Sequence, residues 1–126
     1  MAIPTRTVAL NEMNFRGLSI NTGETSLAVA ASDSGVIFIQ NYASACTYTL
    51  PSVAAGKGKM FIFVNANTAT STVIEAGSAL IVGTTTAGDP KQTLTSVAVG
   101  DAAIVYGDGT NWFWVNLAIG AWTITT

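Results

Sequence analysis

Cys46-Thr47-Tyr48-Thr49-Leu50 alternates strictly: Cys46, Tyr48 and Leu50 fall on one side of an extended chain, Thr47 and Thr49 on the other. A period of two is the signature of a β-strand with one face buried and one face wet. On either side of it in sequence, Val36-Ile-Phe-Ile39 and Phe61-Ile-Phe-Val64 are apolar at every position. That pattern suits strands covered on both faces, by a second layer or by a partner subunit, so these two runs are placed in the middle of the fold.

The same reading extended outward predicts ten short strands: Thr25–Ala30, Gly35–Gln40, Cys46–Leu50, Met60–Asn65, Ser71–Ala76, Ala79–Val82, Gln92–Val97, Ala102–Tyr106, Asn111–Leu117 and Ala121–Thr125. Between them stand Ser32-Asp-Ser-Gly35, Leu50-Pro-Ser52, Gly56-Lys-Gly58, Glu75-Ala-Gly77, Gly88-Asp-Pro90, Gly100-Asp101 and Gly107-Asp-Gly109. Each joins a residue tolerant of positive φ, or a proline, to a short side-chain acceptor, which is the chemistry of turns. No stretch repeats apolar residues at helical spacing for three turns, so at most a turn or two of helix is expected. Thr, Val and Ile, which pack well on pleated surfaces, make up close to a third of the chain. The expected class is all-β: a single-domain β-sandwich over residues 18–126, preceded by a short N-terminal arm over residues 1–17. Thr84-Thr-Thr-Ala-Gly-Asp-Pro-Lys91 reads as an exposed loop.

Composition narrows the function. The chain of 126 residues carries 5 basic and 7 acidic side chains, 10% in all, for a net charge of −2, against a usual charged share of roughly 25%. An electrostatic nucleic-acid binder is not expected. The absence of histidine removes the commonest general base and every imidazole metal site. A lone Cys46 allows no intrachain disulfide and reads as a small buried hydrophobe. The longest unbroken apolar runs are far shorter than a bilayer span, and Met1–Leu10 lacks the pattern of an export signal. With so little charge to cover its outside, the chain is expected to work as an oligomer or assembly subunit.

The remaining candidates for chemistry have plainer readings. Asp33, Asp89, Asp101 and Asp108 all sit in turn sequences. Glu75 interrupts a strand and reads as an inward or edge charge that blocks wrong pairing. Gly56-Lys-Gly-Lys59 lacks the spacing and following helix of a phosphate loop and reads as a solvated turn with gatekeeper charges. Trp112 and Trp114 share a strand face, suited to stacking on sugar rings or, with more weight, to filling a core or interface. No catalytic, metal or cofactor residue is assigned, and neither an enzyme activity nor a small-molecule substrate is expected.

The ordered set Ser32-Asp-Ser-Gly35, Tyr48-Thr-Leu-Pro51, Gly56-Lys-Gly58 running into Phe61-Ile-Phe-Val64, Gly109-Thr-Asn-Trp112 and Gly120-Ala-Trp122 resembles a β-rich module of tailed-bacteriophage virion proteins. That module recurs in small head-decoration (cement) proteins and in parts of tail fibres. The resemblance, over about residues 25–123, implies a compact, often jelly-roll-like sandwich that associates as a homotrimer on the outer surface of the capsid, with the major capsid protein as partner. A tail fibre usually carries the module in a longer chain with heptads or Gly-x-y segments. Neither is present here, which favours the head; a tail-fibre or receptor-binding module contacting host glycans, through the tryptophan strand and the Gly83–Gln92 loop, is the alternative. The apolar content of the arm suits docking either on its own domain, as a first strand or short helix, or on a neighbour; in this reading it is expected to bind the capsid through Ile3, Val8, Leu10, Met13 and Phe15, with Arg6 and Arg16 facing shell carboxylates. The trimer interface is expected at Phe38, Phe61 and Phe63 or at Trp112 and Trp114.

Overall fold

In the computed structural model the described residues are 16–67, 72–82, 91–117 and 122–125. Ten strands account for nearly all of the regular structure: β1 (Gly17–Asn21), β2 (Ser26–Ala28), β3 (Val36–Gln40), β4 (Cys46–Thr49), β5 (Met60–Asn65), β6 (Thr72–Val82), β7 (Lys91–Thr95), β8 (Ala102–Gly107), β9 (Trp112–Asn116) and β10 (Thr123–Thr125). One turn of 3-10 helix lies at Ala31–Asp33. The strands form one hydrogen-bonded network folded into two packed layers, an all-β, single-domain sandwich.

The winding is distinctive. β1, β3 and β5 pair side by side in parallel, and β2 and β4 pair in parallel with the first half of β6. The chain therefore lays one strand in the first layer, crosses to the second, returns, and stacks the next strand beside the one before. The antiparallel pairs β5–β8 and β8–β9 extend the first layer, and β6–β7 and β7–β10 extend the second. A jelly roll is built of antiparallel Greek keys, so the jelly-roll-like connectivity is corrected to this alternating parallel winding.

Local chemistry explains the crossings. Asn21, Gln40 and Asn65 are register partners at the last positions of β1, β3 and β5. All three point inward, and each side chain holds the chain that leaves its strand. Asn21 Oδ1 accepts the backbone N–H groups of Gly23 and Glu24 at 3.2 and 2.8 Å. Gln40 Nε2 donates to the Ser44 carbonyl at 2.8 Å, and Asn65 Nδ2 donates to the Asn67 carbonyl at 3.1 Å. Such side-chain bonds to nearby backbone turn a chain without a hairpin, and the next strand then starts in the opposite layer.

The core lies between the layers. Phe38 and Phe63 stack on adjacent parallel strands with centroids 5.3 Å apart, and Tyr48 of the second layer meets both edge-on at 5.6 and 5.3 Å. Phe61 packs on Trp112, and Ile74, Leu94, Val105 and Trp122 are among the other side chains buried in the same cluster. Burial of each such side chain contributes roughly 1.5–3 kcal/mol.

Met60–Asn65 coincides with the predicted strand, and the remaining strands apart from β1 overlap predictions. Ser71–Ala76 and Ala79–Val82 prove to be parts of one strand, β6, whose pairing with β7 is irregular between Glu75 and Leu80. β1 had no predicted counterpart; Gly17, assigned to the arm, is its first residue.

Candidate functional site

The two layers present opposite outer surfaces. On the second layer the outward rows run Ser26–Thr47–Val73–Thr95–Thr123 and Ala28–Thr49–Glu75–Thr93, a face dominated by hydroxyls. On the first layer one outward row runs Leu18–Ile37–Ile62–Ile104–Val115. Beside it runs Ile20–Ile39–Val64–Ala102, continued by Leu117, whose N–H donates to the Ala102 carbonyl at 3.0 Å. A third row joins Met60, Tyr106 and Phe113, the last two stacked at 5.3 Å. No Asp, Glu, Lys or Arg occupies an outward position of β1, β3, β5, β8 or β9.

This face is the candidate site. Leu18 and Ile20 keep 60% and 57% of their surface exposed, and Tyr106, Val115 and Leu117 are also exposed. A shallow depression is lined by Met60, Ile104, Tyr106 and Val115, with Lys59 at its side. The charges Arg16 and Lys59 stand one residue before β1 and β5, at the rim.

The residues expected at a trimer interface lie elsewhere. Phe38, Phe61, Phe63 and Trp112 are buried in the chain's own core, and Trp114 is half-buried against it. These aromatic positions are in phase with the interior, so the interface assignment to Phe38, Phe61, Phe63, Trp112 and Trp114 is corrected. The residues one position away, Ile37, Ile39, Ile62, Val64, Phe113 and Val115, face outward. The signal was present in the all-apolar runs around Phe38 and Phe63, which require two covered faces. Ring size picked out the inner one.

Of the arm residues, Ile3, Arg6, Val8, Leu10, Met13 and Phe15 lie outside the described residues. Arg16 is fixed to its own domain: its backbone N–H donates to the Gly35 carbonyl at 2.9 Å and its guanidinium donates to the Ser32 carbonyl at 2.7 Å. The Gly83–Pro90 part of the expected loop, with Asp89, also lies outside the described residues, and Lys91 opens β7.

The aspartates with described positions hold turns. Asp33 Oδ2 accepts the Ala30 N–H at 2.9 Å. Buried Asp101 accepts from Val97 and Ala98 at 2.7 and 2.9 Å. Asp108 accepts from Asn111 and Thr110, and these bonds hold its carboxyl below its ordinary pKa. Glu75 is neither inward nor at an edge: it pairs with Thr49 on one side and Thr93 on the other and points to solvent. Its expected gatekeeping role is corrected to that of an outward charge in the middle of the threonine face.

Two sequence features have packing causes. The Trp112 ring lies directly on Gly56, where any Cβ would collide with it, and Gly107 has no room for a Cβ beside the Gly56 carbonyl. Gly56-Lys-Gly58 is therefore a platform for Trp112 as well as a turn. Cys46 is fully buried next to Tyr48; burial raises both pKa values, so thiol and phenol stay protonated at neutral pH. Among the described residues the Tyr48 hydroxyl has no oxygen or nitrogen partner; its ring belongs to the aromatic cluster with Phe38 and Phe63.

Comparison of the chain with family models, curated proteins and solved structures finds no match.

Proposed function

We propose that the chain is a non-enzymatic virion structural protein, a decoration protein that binds the outside of a bacteriophage head as a homotrimer and stabilises the shell. The observation that carries this reading is the uncharged aliphatic outer face of the first layer, set against the threonine face of the second. A catalyst needs a cleft with convergent polar groups; this site is a broad sheet surface whose chemistry is contact. A protein that binds the closed shell and not its dissociated subunits stabilises the shell by an amount set by its concentration over its dissociation constant. Three linked binding elements raise that gain through avidity. In this reading the residues ahead of Arg16 reach the major capsid protein, and the folded domain holds the copies together.

Cosedimentation of the purified protein with mature heads of the phage that encodes it tests this. The expected outcome is saturable binding and a higher temperature of head disruption, both lost when residues 2–15 are deleted and the domain still folds. Absence of binding to heads overturns the reading.

A tail-fibre or receptor-binding module is the second reading, favoured by a different observation. β1 and β2 are the end strands of the β1-to-β2 path through the sheet network, so among the described residues the first winding of the chain ends in an unpaired edge in each layer, where another parallel segment of a longer fibre fits. Binding to tails or to host glycans on an array, with heads left bare, selects this alternative.

A further inference from the structure

We infer that the outer face of the β1–β3–β5–β8–β9 layer is the surface through which copies of this chain pack on one another, their faces turned toward a shared axis. The inference deepens the assembly reading above and rests on it. It names the partner of this face as a second copy of the same chain.

Three observations converge. The first concerns covering. β3 and β5 are parallel strands with apolar residues on both sides, and β1, whose inward positions are Ser19 and Asn21, adds Leu18 and Ile20 to their outer face; parallel strands apolar on two faces occur almost only with both faces covered. The core covers one side, yet Leu18 and Ile20 on the other remain more than half exposed.

The second concerns size. Five strands about 4.8 Å apart, each about five to six residues long at about 3.3 Å per residue, give a face on the order of 24 by 18 Å in projection. That is on the order of 430 Å², about half of the ~800 Å² that one partner gives to a standard interface, and it matches the size of the contiguous apolar patches that are often functional rather than apolar residues scattered singly.

The third concerns complementarity. The outward strand positions of the face carry no charged side chain, and Arg16 and Lys59 stand at its rim, one residue before β1 and β5. An apolar centre with a polar rim is the anatomy of a protein interface. The partner must present an equally flat and uncharged surface. The second layer of another copy presents hydroxyls and Glu75, so the matching surface on a copy is this same face. One such face per chain, turned toward a shared axis, gives a closed assembly.

The test is the mass of the full chain in solution by sedimentation velocity, wild type against Ile62→Glu and Leu18→Lys, with Thr47→Lys on the opposite face as control. The expected result is a wild-type assembly of a whole multiple of 13.0 kDa, three under the decoration reading. Both outer-face variants fall to a folded species of 13.0 kDa, and Thr47→Lys keeps the wild-type mass. Leu18 lies on an end strand and is largely exposed, so Leu18→Lys carries the test even where Ile62→Glu fails to fold. A wild-type monomer, or folded variants of unchanged mass, overturns the inference. Head cosedimentation separates the two ideas. An assembled protein that leaves heads bare overturns decoration and leaves the interface standing; a monomer that coats heads does the reverse. A dimer supports the interface and overturns the threefold assembly.

Discussion

The side-chain amide of Asn21 donates to Oε1 of Gln40 at 2.7 Å, deep in the protein, and the two residues are register partners at the ends of adjacent parallel strands. Asn65 is the next partner of Gln40 in register, and its Oδ1 accepts the Thr72 hydroxyl at 3.0 Å. Polar groups so well buried are tolerated because they are bonded. Here the bonds fix the corner where the chain leaves the first layer, so the same residues that cost desolvation also set the topology.

Gln40→Ala tests that role. The substitution leaves the Ser44 carbonyl without the Gln40 donor and removes one acceptor from Asn21. The expected loss of stability is about 1–3 kcal/mol for each orphaned group, read as a lower urea midpoint with the slope unchanged. A variant as stable as the wild type contradicts the corner mechanism.

Gly56 and Trp112 are expected to be coupled. Gly56→Ala drives a methyl group into the Trp112 ring, and overpacking of this kind costs about 1–3 kcal/mol. Trp112→Phe in the same chain removes the outer ring atoms that collide and recovers part of the loss. A double-mutant cycle should show a coupling of at least about 0.5 kcal/mol, and additivity between the two sites rules out the contact as the cause.

Adjacent residues of β5 should behave oppositely. Phe63→Ala opens a cavity beneath Phe38 and Tyr48 and should cost about 3–5 kcal/mol. Ile62→Ala, on the outward side, should cost much less in a dilute monomer and should instead weaken self-association. Equal losses of stability in thermal melts argue against the assigned strand phase.

The hairpin between β8 and β9 carries a specific pH dependence. Backbone N–H bonds from Asn111 and Thr110 keep the Asp108 pKa below 3.8 in the folded chain. A carboxyl whose folded pKa lies below its unfolded value stabilises the fold above the unfolded value, and the gain disappears as pH falls through the folded value. An NMR titration of the Asp108 carboxyl should therefore show a midpoint below 3.8, with the Thr110 and Asn111 amides shifting in step. A midpoint at or above that value excludes the turn bonds as a charged-state preference.

Cys46 should resist thiol reagents in the folded protein, because burial keeps the thiol protonated and covered. Ellman's reagent should react at its ordinary rate only after denaturation in urea. Rapid reaction of the native protein at pH 8 places the thiol at the surface and contradicts the packing around Tyr48.

Sequence alone determined the class and most strand positions of this protein. Alternation around Tyr48 and the runs at Phe38 and Phe63 are local properties, and so is the turn chemistry of Asp33, Asp101 and Asp108. Only the tertiary structure decided that Val36–Gln40 pairs with Met60–Asn65 and with Gly17–Asn21 in parallel, because pairing joins residues far apart in the chain and a period of two is silent about partners. It also decided which of two apolar sides of β3 and β5 lies inside. Periodicity says which residues share a face, but the covering layer says which face is filled. The aromatic rings of Phe38 and Phe63 met Tyr48 across the core, leaving Ile37, Ile39, Ile62 and Val64 to form the open surface.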